Sequence, residues 1–205
     1  RRKTLISIID YGLGNIFAFV NILKDLNYDY KIVTSYKDLE KTDKIILPGV
    51  GAFDWAITHL NKSGMRETLD ELVLGKKKQV LGVCVGMQMM SESSEEGELN
   101  GLGWIKGSVK KIKQNDNNTL IPHIGWNTVQ LENSNNLLLG IKNPQFYFLH
   151  SYFISPFNPK NITGTTEYNG VFVSMIQNDN IYGTQFHPEK SHSWGIKLLD
   201  NFASL

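Results

Sequence analysis

The stretch Val80-Leu81-Gly82-Val83-Cys84-Val85-Gly86-Met87-Gln88 constrains the fold more than any other. Its apolar first half reads as a buried strand, and a helical pattern follows Cys84. Glycines stand two residues to either side of the cysteine, the layout of a nucleophile elbow with sulfur in place of a serine hydroxyl. A turn that sharp brings backbones into contact, and a Cβ at either flank would collide. It also lifts the Cys84 sulfur out of the sheet to a helix N-terminus, where unpaired N–H groups and the helix dipole favour an anion. A lone cysteine is ordinarily a small buried hydrophobe, so the functional reading needs a partner base.

The segments before the elbow alternate between strand and helix. Leu5-Ile6-Ser7-Ile8-Ile9 is an apolar run ending in Asp10. Tyr11-Gly12-Leu13-Gly14-Asn15 follows as a turn, with Asn15 expected to cap a helix whose apolar face is Ile16, Phe19, Val20, Leu23 and Leu26. The third glycine of a dinucleotide fingerprint is missing there. Residues 30–34 and 44–47 read as strands, the second running into Pro48-Gly49-Val50-Gly51-Ala52-Phe53. Glycines at a strand's carboxyl end leave backbone N–H groups unobstructed, which suits an oxyanion hole as well as a plain turn. Helices are expected over 54–60 and 65–74. This is the rhythm of a doubly wound α/β sheet, in which sites lie outside the carboxyl ends of the strands. The Tyr11 turn, the Gly49 turn and Cys84 all fall at such ends.

The texture changes after the elbow. The acidic segment 91–98 reads as solvated surface, unless one of its glutamates reaches a substrate ammonium. Short alternating segments at 108–113, 127–131, 145–149, 162–167, 171–176 and 181–185 suggest antiparallel strands. Polar turns separate them at 114–118 and 133–136. Trp194, Leu198, Leu199 and Phe202 form the apolar stripe of a last helix.

At 205 residues the chain suits one domain spanning 1–205. A net charge of +1 gives no footing for nucleic acid or an anionic membrane. No apolar run is long enough to cross a bilayer, and Arg1-Arg2-Lys3 runs straight into a strand rather than an apolar leader. One cysteine cannot form an internal disulfide and fits a reducing cytoplasm. No histidine or thiolate pair has ligand spacing, so no metal or cofactor is expected.

Five histidines compete for the role of base. His59 and His192 read as surface, whereas His123 and His150 follow apolar stretches. His187, in Gln185-Phe186-His187-Pro188-Glu189, closes an apolar strand, and Pro188 fixes the backbone between the imidazole and a carboxylate. Cysteine, histidine and carboxylate make a nucleophile, base and orienter.

The elbow and the His-Pro-Glu turn together resemble the class I (triad) glutamine amidotransferases, over nearly the whole chain. Narrower motifs are Asp10-Tyr11-Gly12-Leu13-Gly14-Asn15, residues 48–53, Pro122-His123-Ile124-Gly125-Trp126-Asn127 and Tyr147-Phe148-Leu149-His150-Ser151-Tyr152. They resemble the branch that serves histidine biosynthesis. The resemblance implies a flavodoxin-like α/β fold: a central, mostly parallel sheet flanked by helices, with antiparallel strands in the C-terminal half. It implies a glutaminase that passes ammonia to a (β/α)8-barrel synthase subunit in a heterodimer. Cys84 is then the nucleophile, His187 the base and acid, and Glu189 the orienter. Gly51, Val85, Gln88, Glu96, Ser151 and Tyr152 match positions that hold glutamine. Gly49, Val50, Gly51 and Val85 match the oxyanion region. Asn15, Ile124, Trp126 and Lys190 match the barrel-facing surface. Two alternatives keep the fold: an amidotransferase of a paralogous pathway such as surface-sugar biosynthesis, and a non-catalytic subunit that stabilises its partner.

Overall fold

The computed structural model describes residues 4–114, 120–133 and 135–205. In chain order the elements are β1 (Leu5–Ile9), α1 (Ile16–Asp25), β2 (Asp29–Val33), β3 (Lys44–Gly49), α2 (Phe53–Lys62), α3 (Arg66–Asp70), β4 (Gln79–Cys84) and α4 (Val85–Gln88). Then come β5 (Ser93–Ser94), β6 (Gly107–Lys111), β7 (His123–Thr128), β8 (Gln130–Leu131), β9 (Gln145–His150), β10 (Tyr152–Pro156), β11 (Ile162–Glu167), β12 (Val171–Asn178), β13 (Ile181–Thr184) and α5 (His192–Ser204).

An eight-stranded sheet runs β2-β1-β3-β4-β13-β12-β11-β8. Its first five strands are parallel and its last three antiparallel. This is the expected mixed sheet of an α/β fold. β3 and β4 are buried along nearly their whole length, as strands covered on both faces must be. Smaller sheets, β10-β6-β5 and β7-β9, lie beside it.

The pairing of β13 with β4 explains how residues 84 and 187 can meet. The register sets Thr184 against Val83 and Gly183 against Gly82. The next residue of each strand, Gln185 and Cys84, therefore sits at the same level of the sheet edge. On the other side of β4, Gly49 is in register with Cys84.

Several local expectations need correction. The helical pattern after Cys84 is a single turn, Val85–Gln88, so it contributes little dipole beyond its own N–H groups. Asn15 makes no side-chain capping hydrogen bond. The strand expected over 127–131 is two strands: β7 already starts at His123, and β8 follows Val129. β10 answers to no expectation, because Tyr152-Phe153-Ile154-Ser155-Pro156 lacks clean alternation and ends in proline. Pro156 is tolerated because β10 pairs on one side only, with β6. Within the helix expected over 65–74, residues Glu71–Gly75 continue α3 as a π turn. Residues 115–118 of the first polar turn and Ser134 of the second lie outside the described residues.

The glycines that flank Cys84 are sterically required. A Cβ on Gly86 would stand 2.0 Å from the Leu47 carbonyl oxygen, and one on Gly82 would stand 2.8 Å from the Met87 Cα. Gly86→Ala is expected to cost about 3 kcal/mol of stability, the upper range for forcing atoms into a packed core. Urea denaturation of that variant beside the parent checks this. An unchanged midpoint would mean that the backbone can relax away from Leu47.

Candidate functional site

Cys84 has φ 55° and ψ −116°, in the left-handed half of backbone space where a Cβ is unwelcome. The residue is 4% exposed. Its sulfur borders a cavity of about 250 Å³ whose walls include Val50, Gly51, Val85, Gln88, Glu96, Ser151, Tyr152, His187 and Lys190. These residues, named from the sequence for four different tasks, converge on one space. That volume suits a small polar molecule such as an amino acid.

His187 is placed by backbone contacts. Its N–H donates to the Tyr147 carbonyl of β9 at 2.9 Å, and its carbonyl accepts from Ser191 Oγ at 2.6 Å. Ser191 Oγ also accepts from the Tyr147 N–H at 3.0 Å. The His187 ring shares a hydrogen bond with Cys84 on one side. On the other, Nδ1 lies 2.8 Å from Glu189 Oε1. Both side chains are almost wholly buried, and Glu189 Oε2 has no hydrogen-bond partner. A buried carboxylate so poorly satisfied is tolerable only beside a cation. Burial by itself would pull the His187 pKa down. The Cys84 sulfur and the Glu189 carboxylate outweigh burial and push it up to about 10. The ring therefore keeps its second proton at neutral pH.

The Gly49 loop forms the opposite wall. Gly49 is pressed against the backbone of Gly86: a Cβ there would lie only 2.4 Å from the Gly86 nitrogen. Gly51 has φ +86°, a conformation that glycine adopts freely. Tyr11 Oη donates to the Pro48 carbonyl at 2.6 Å and pins the root of this loop. Glu96 is not merely solvated. Its Oε2 accepts from the Phe53 N–H at the start of α2, at 2.9 Å, and the residue lines the cavity.

Gln88 lines the same cavity, and its amide nitrogen is held from behind. It is 2% exposed, and its Nε2 donates to the Tyr152 carbonyl at 2.8 Å and to Gln185 Oε1 at 3.1 Å. Both of its donors are thus engaged within the protein. His150 and Gln185 were assigned no task from the sequence. His150 lines the cavity, and Gln185 Nε2 lies 3.7 Å from Cys84 Sγ. Their signal was their place in the motifs, which said nothing of their contacts.

Asn15, Ile124, Trp126 and Lys190 are exposed. Ile124 and Trp126 project from β7, and Leu149, opposite Ile124, joins them from β9. Lys190 Nζ sits 5.9 Å above the Tyr147 ring. Among the described residues, no group of three histidine, cysteine, aspartate or glutamate side chains could hold a metal. No helix among them is long and apolar enough to cross a membrane.

Beneath this surface, His123 Nδ1 and His150 Nε2 are 3.0 Å apart, and His150 Nδ1 is 2.9 Å from the Tyr152 carbonyl. The carbonyl can only accept, so His150 carries its proton on Nδ1 and receives one from His123 Nδ1. Both rings are neutral. Burial drives His123 down to about 4, and burial with the neighbouring imidazoles drives His150 down to about 3. The unfolded chain takes up both protons near pH 6.5. Stability is therefore fully present above that pH and falls as acid is added toward 4, by up to about 1.4 kcal/mol per pH unit for each ring. Urea midpoints at pH 7.5 and 5 should differ accordingly, and much less in His123→Gln/His150→Asn. An equal acid loss in that double variant would assign the lability elsewhere.

A family model described as glutamine amidotransferase class-I matches residues 7–204. Among curated proteins, the imidazole glycerol phosphate synthase subunit HisH of Leptospira interrogans is 52% identical over 98% of this chain and 100% of its own. The protein of the same name from Bdellovibrio bacteriovorus is 47% identical over the same shares. Subunit HisH 2 of Methanococcus maripaludis is 45% identical, over 97% and 98%. Among solved structures, a putative GMP synthase subunit from Thermoplasma acidophilum aligns with TM-score 0.75 at 22% identity, over 100% of this chain and 94% of that one. PurLQS from Thermotoga maritima aligns with TM-score 0.75 at 16% identity, over 98% of each chain. These last two likenesses bear on the fold alone.

Proposed function

Because the chain belongs to the class-I glutamine amidotransferases, among the imidazole glycerol phosphate synthase subunits HisH, we propose that it hydrolyses L-glutamine for histidine biosynthesis through Cys84, His187 and Glu189. The observation that carries this reading is the placement of sulfur, imidazole and carboxylate in one hydrogen-bonded line at the wall of a glutamine-sized cavity.

The Cys84 sulfur attacks the side-chain carbonyl carbon of glutamine. The charge that develops on the carbonyl oxygen is met by backbone N–H groups near Gly51 and Val85, each worth about 3 kcal/mol where the geometry is right. Gly49 and Val50 shape that loop. The His187 imidazolium protonates the departing nitrogen, and ammonia leaves a thioester on Cys84. His187, now neutral, takes a proton from water as the water attacks the thioester, and glutamate is released. Glu189 holds the ring orientation throughout. Within the cavity, Glu96 suits the α-ammonium of glutamine, and Ser151 and Tyr152 line its other end. Gln88 lines the same cavity, and its two engaged donors fix its amide there, with the oxygen as the end left to meet glutamine.

Ammonia released into water would be protonated and lost as a nucleophile, so the reaction calls for a sealed exit. We assign that exit to a (β/α)8-barrel synthase subunit docked as a heterodimer over Asn15, Ile124, Trp126 and Lys190. The apolar side chains exposed on β7 and β9 support this. A free, unpaired cysteine as nucleophile suits a reducing cytoplasm, and the family match over residues 7–204 suits a single unit over 1–205.

Cys84→Ala is expected to lower glutamate release from glutamine by at least about 1,000-fold in the complex with the barrel subunit. Synthesis driven by added ammonia should remain. If glutamate release continues at the parental rate, the chain stabilises its partner and is not a glutaminase.

A further inference from the structure

Resting on that reading, we infer that Gln185 is a further catalytic residue: its side-chain amide donates to the Cys84 sulfur and supports it as an anion. The contact is Gln185 Nε2 to Cys84 Sγ at 3.7 Å, a fitting length for a large sulfur acceptor.

The orientation of this amide is determined by what lies behind it. The Tyr152 carbonyl can only accept, so the end of Gln88 that faces it is the nitrogen. The same nitrogen donates to Gln185, so the end of Gln185 that faces Gln88 is the oxygen. The Gln185 nitrogen is then left to point at the sulfur. The Tyr152 carbonyl is held by a second donor, His150 Nδ1, which is itself held by His123 and, through His123 Nε2, by Asn127 Nδ2 at 3.3 Å. A line of hydrogen bonds through side-chain amides, two neutral imidazoles and the Tyr152 carbonyl thus runs from β7 to the nucleophile.

Burial makes the contact consequential. Gln185 is 0% exposed, and its amide does not figure among the unpartnered buried atoms of the described residues. Without the sulfur, an N–H at this depth would be left unsatisfied. The sulfur's other contact has the opposite sense. Cys84 Sγ can donate to the Leu149 carbonyl at 3.9 Å only while it carries a proton. A carbonyl oxygen opposes the anion, whereas the Gln185 N–H favours it. Gln185 and His187 together tip that contest toward the form that attacks carbon.

The chain has one cysteine, so alkylation by iodoacetamide, followed by the mass of this chain, reads this sulfur alone and without glutamine. In the complex with the barrel subunit, Gln185→Leu should alkylate about tenfold more slowly than the parent at pH 7, with the rate profile displaced toward alkaline pH. Gln185→Glu should be slower still, since it keeps the acceptor for Gln88 but sets a carboxylate oxygen against the sulfur. For both, kcat for glutamine should fall in parallel while KM changes less than twofold. Near-UV circular dichroism establishes folding, and if Gln185→Leu does not fold, Gln185→Glu decides. An alkylation profile that coincides with the parent's in a folded variant overturns the inference. Glutaminase activity that survives Cys84→Ala would overturn the functional reading instead, and would leave the alkylation result standing.

Discussion

Cys84 is held in a backbone conformation that costs a residue with a Cβ about 1–2 kcal/mol. It persists because the surroundings leave no other path. Gly86 lies against the Leu47 carbonyl, Gly82 against Met87, and Gly49 against the Gly86 nitrogen. Gly49 on β3, Gly82 on β4 and Gly86 in α4 thus let these three elements close to distances that side chains forbid. The sulfur is aimed by this packing rather than by a long helix. The loop bearing Gly51 is aimed by it too, because its root is part of the same contact. Nucleophile and the root of the oxyanion loop are therefore packed together, and the energy stored at Cys84 is supplied by the core beneath it.

What could be read from residues alone follows from this. The centre of the parallel sheet was legible because β3 and β4 are nearly continuous apolar runs, a pattern imposed locally by burial on both faces. Cys84, His187 and Glu189 were legible because each sits in a short motif whose geometry is local. The pairing of β13 with β4 was not, since strand register across about a hundred residues leaves no mark in either segment. Neither was β10, whose single partner is β6. The contacts that hold Gln88 were not legible either, because motif position does not reveal which way an amide points. Its orientation depends on the Tyr152 carbonyl, which is distant in sequence.

The site separates two kinds of buried polarity. On one side, Cys84, His187 and Glu189 concentrate charge, and the imidazole is driven toward its charged form. On the other, His123 and His150 are driven toward their neutral forms by burial without an anion in reach. The same side chain thus serves as proton carrier or as fixed dipole, depending on whether an anion stands beside it. The Cys84 sulfur first, and Glu189 behind the ring, make that difference for His187. Asn127 and the Tyr152 carbonyl, both uncharged, leave the other two rings as oriented donors and acceptors.

The β7-β9 pair connects these roles to the surface. Its alternation places Ile124, Trp126 and Leu149 outward and His123, His150 and Phe148 inward, as the two-residue period of a strand requires. The outer face has apolar area without cover, and the inner face is a stacked and hydrogen-bonded layer in which His123 lies 4.8 Å from the Phe148 ring and 3.9 Å from the Tyr168 ring. A partner pressing on the outer face acts on a sheet only two strands wide, whose inward His150 donates to the Tyr152 carbonyl of β10. From that carbonyl the contacts continue through Gln88 and Gln185 to the sulfur. Any displacement of β9 also reaches His187 directly, because Tyr147 accepts its N–H. Both reacting side chains therefore take their position from one narrow element whose other side is open for docking.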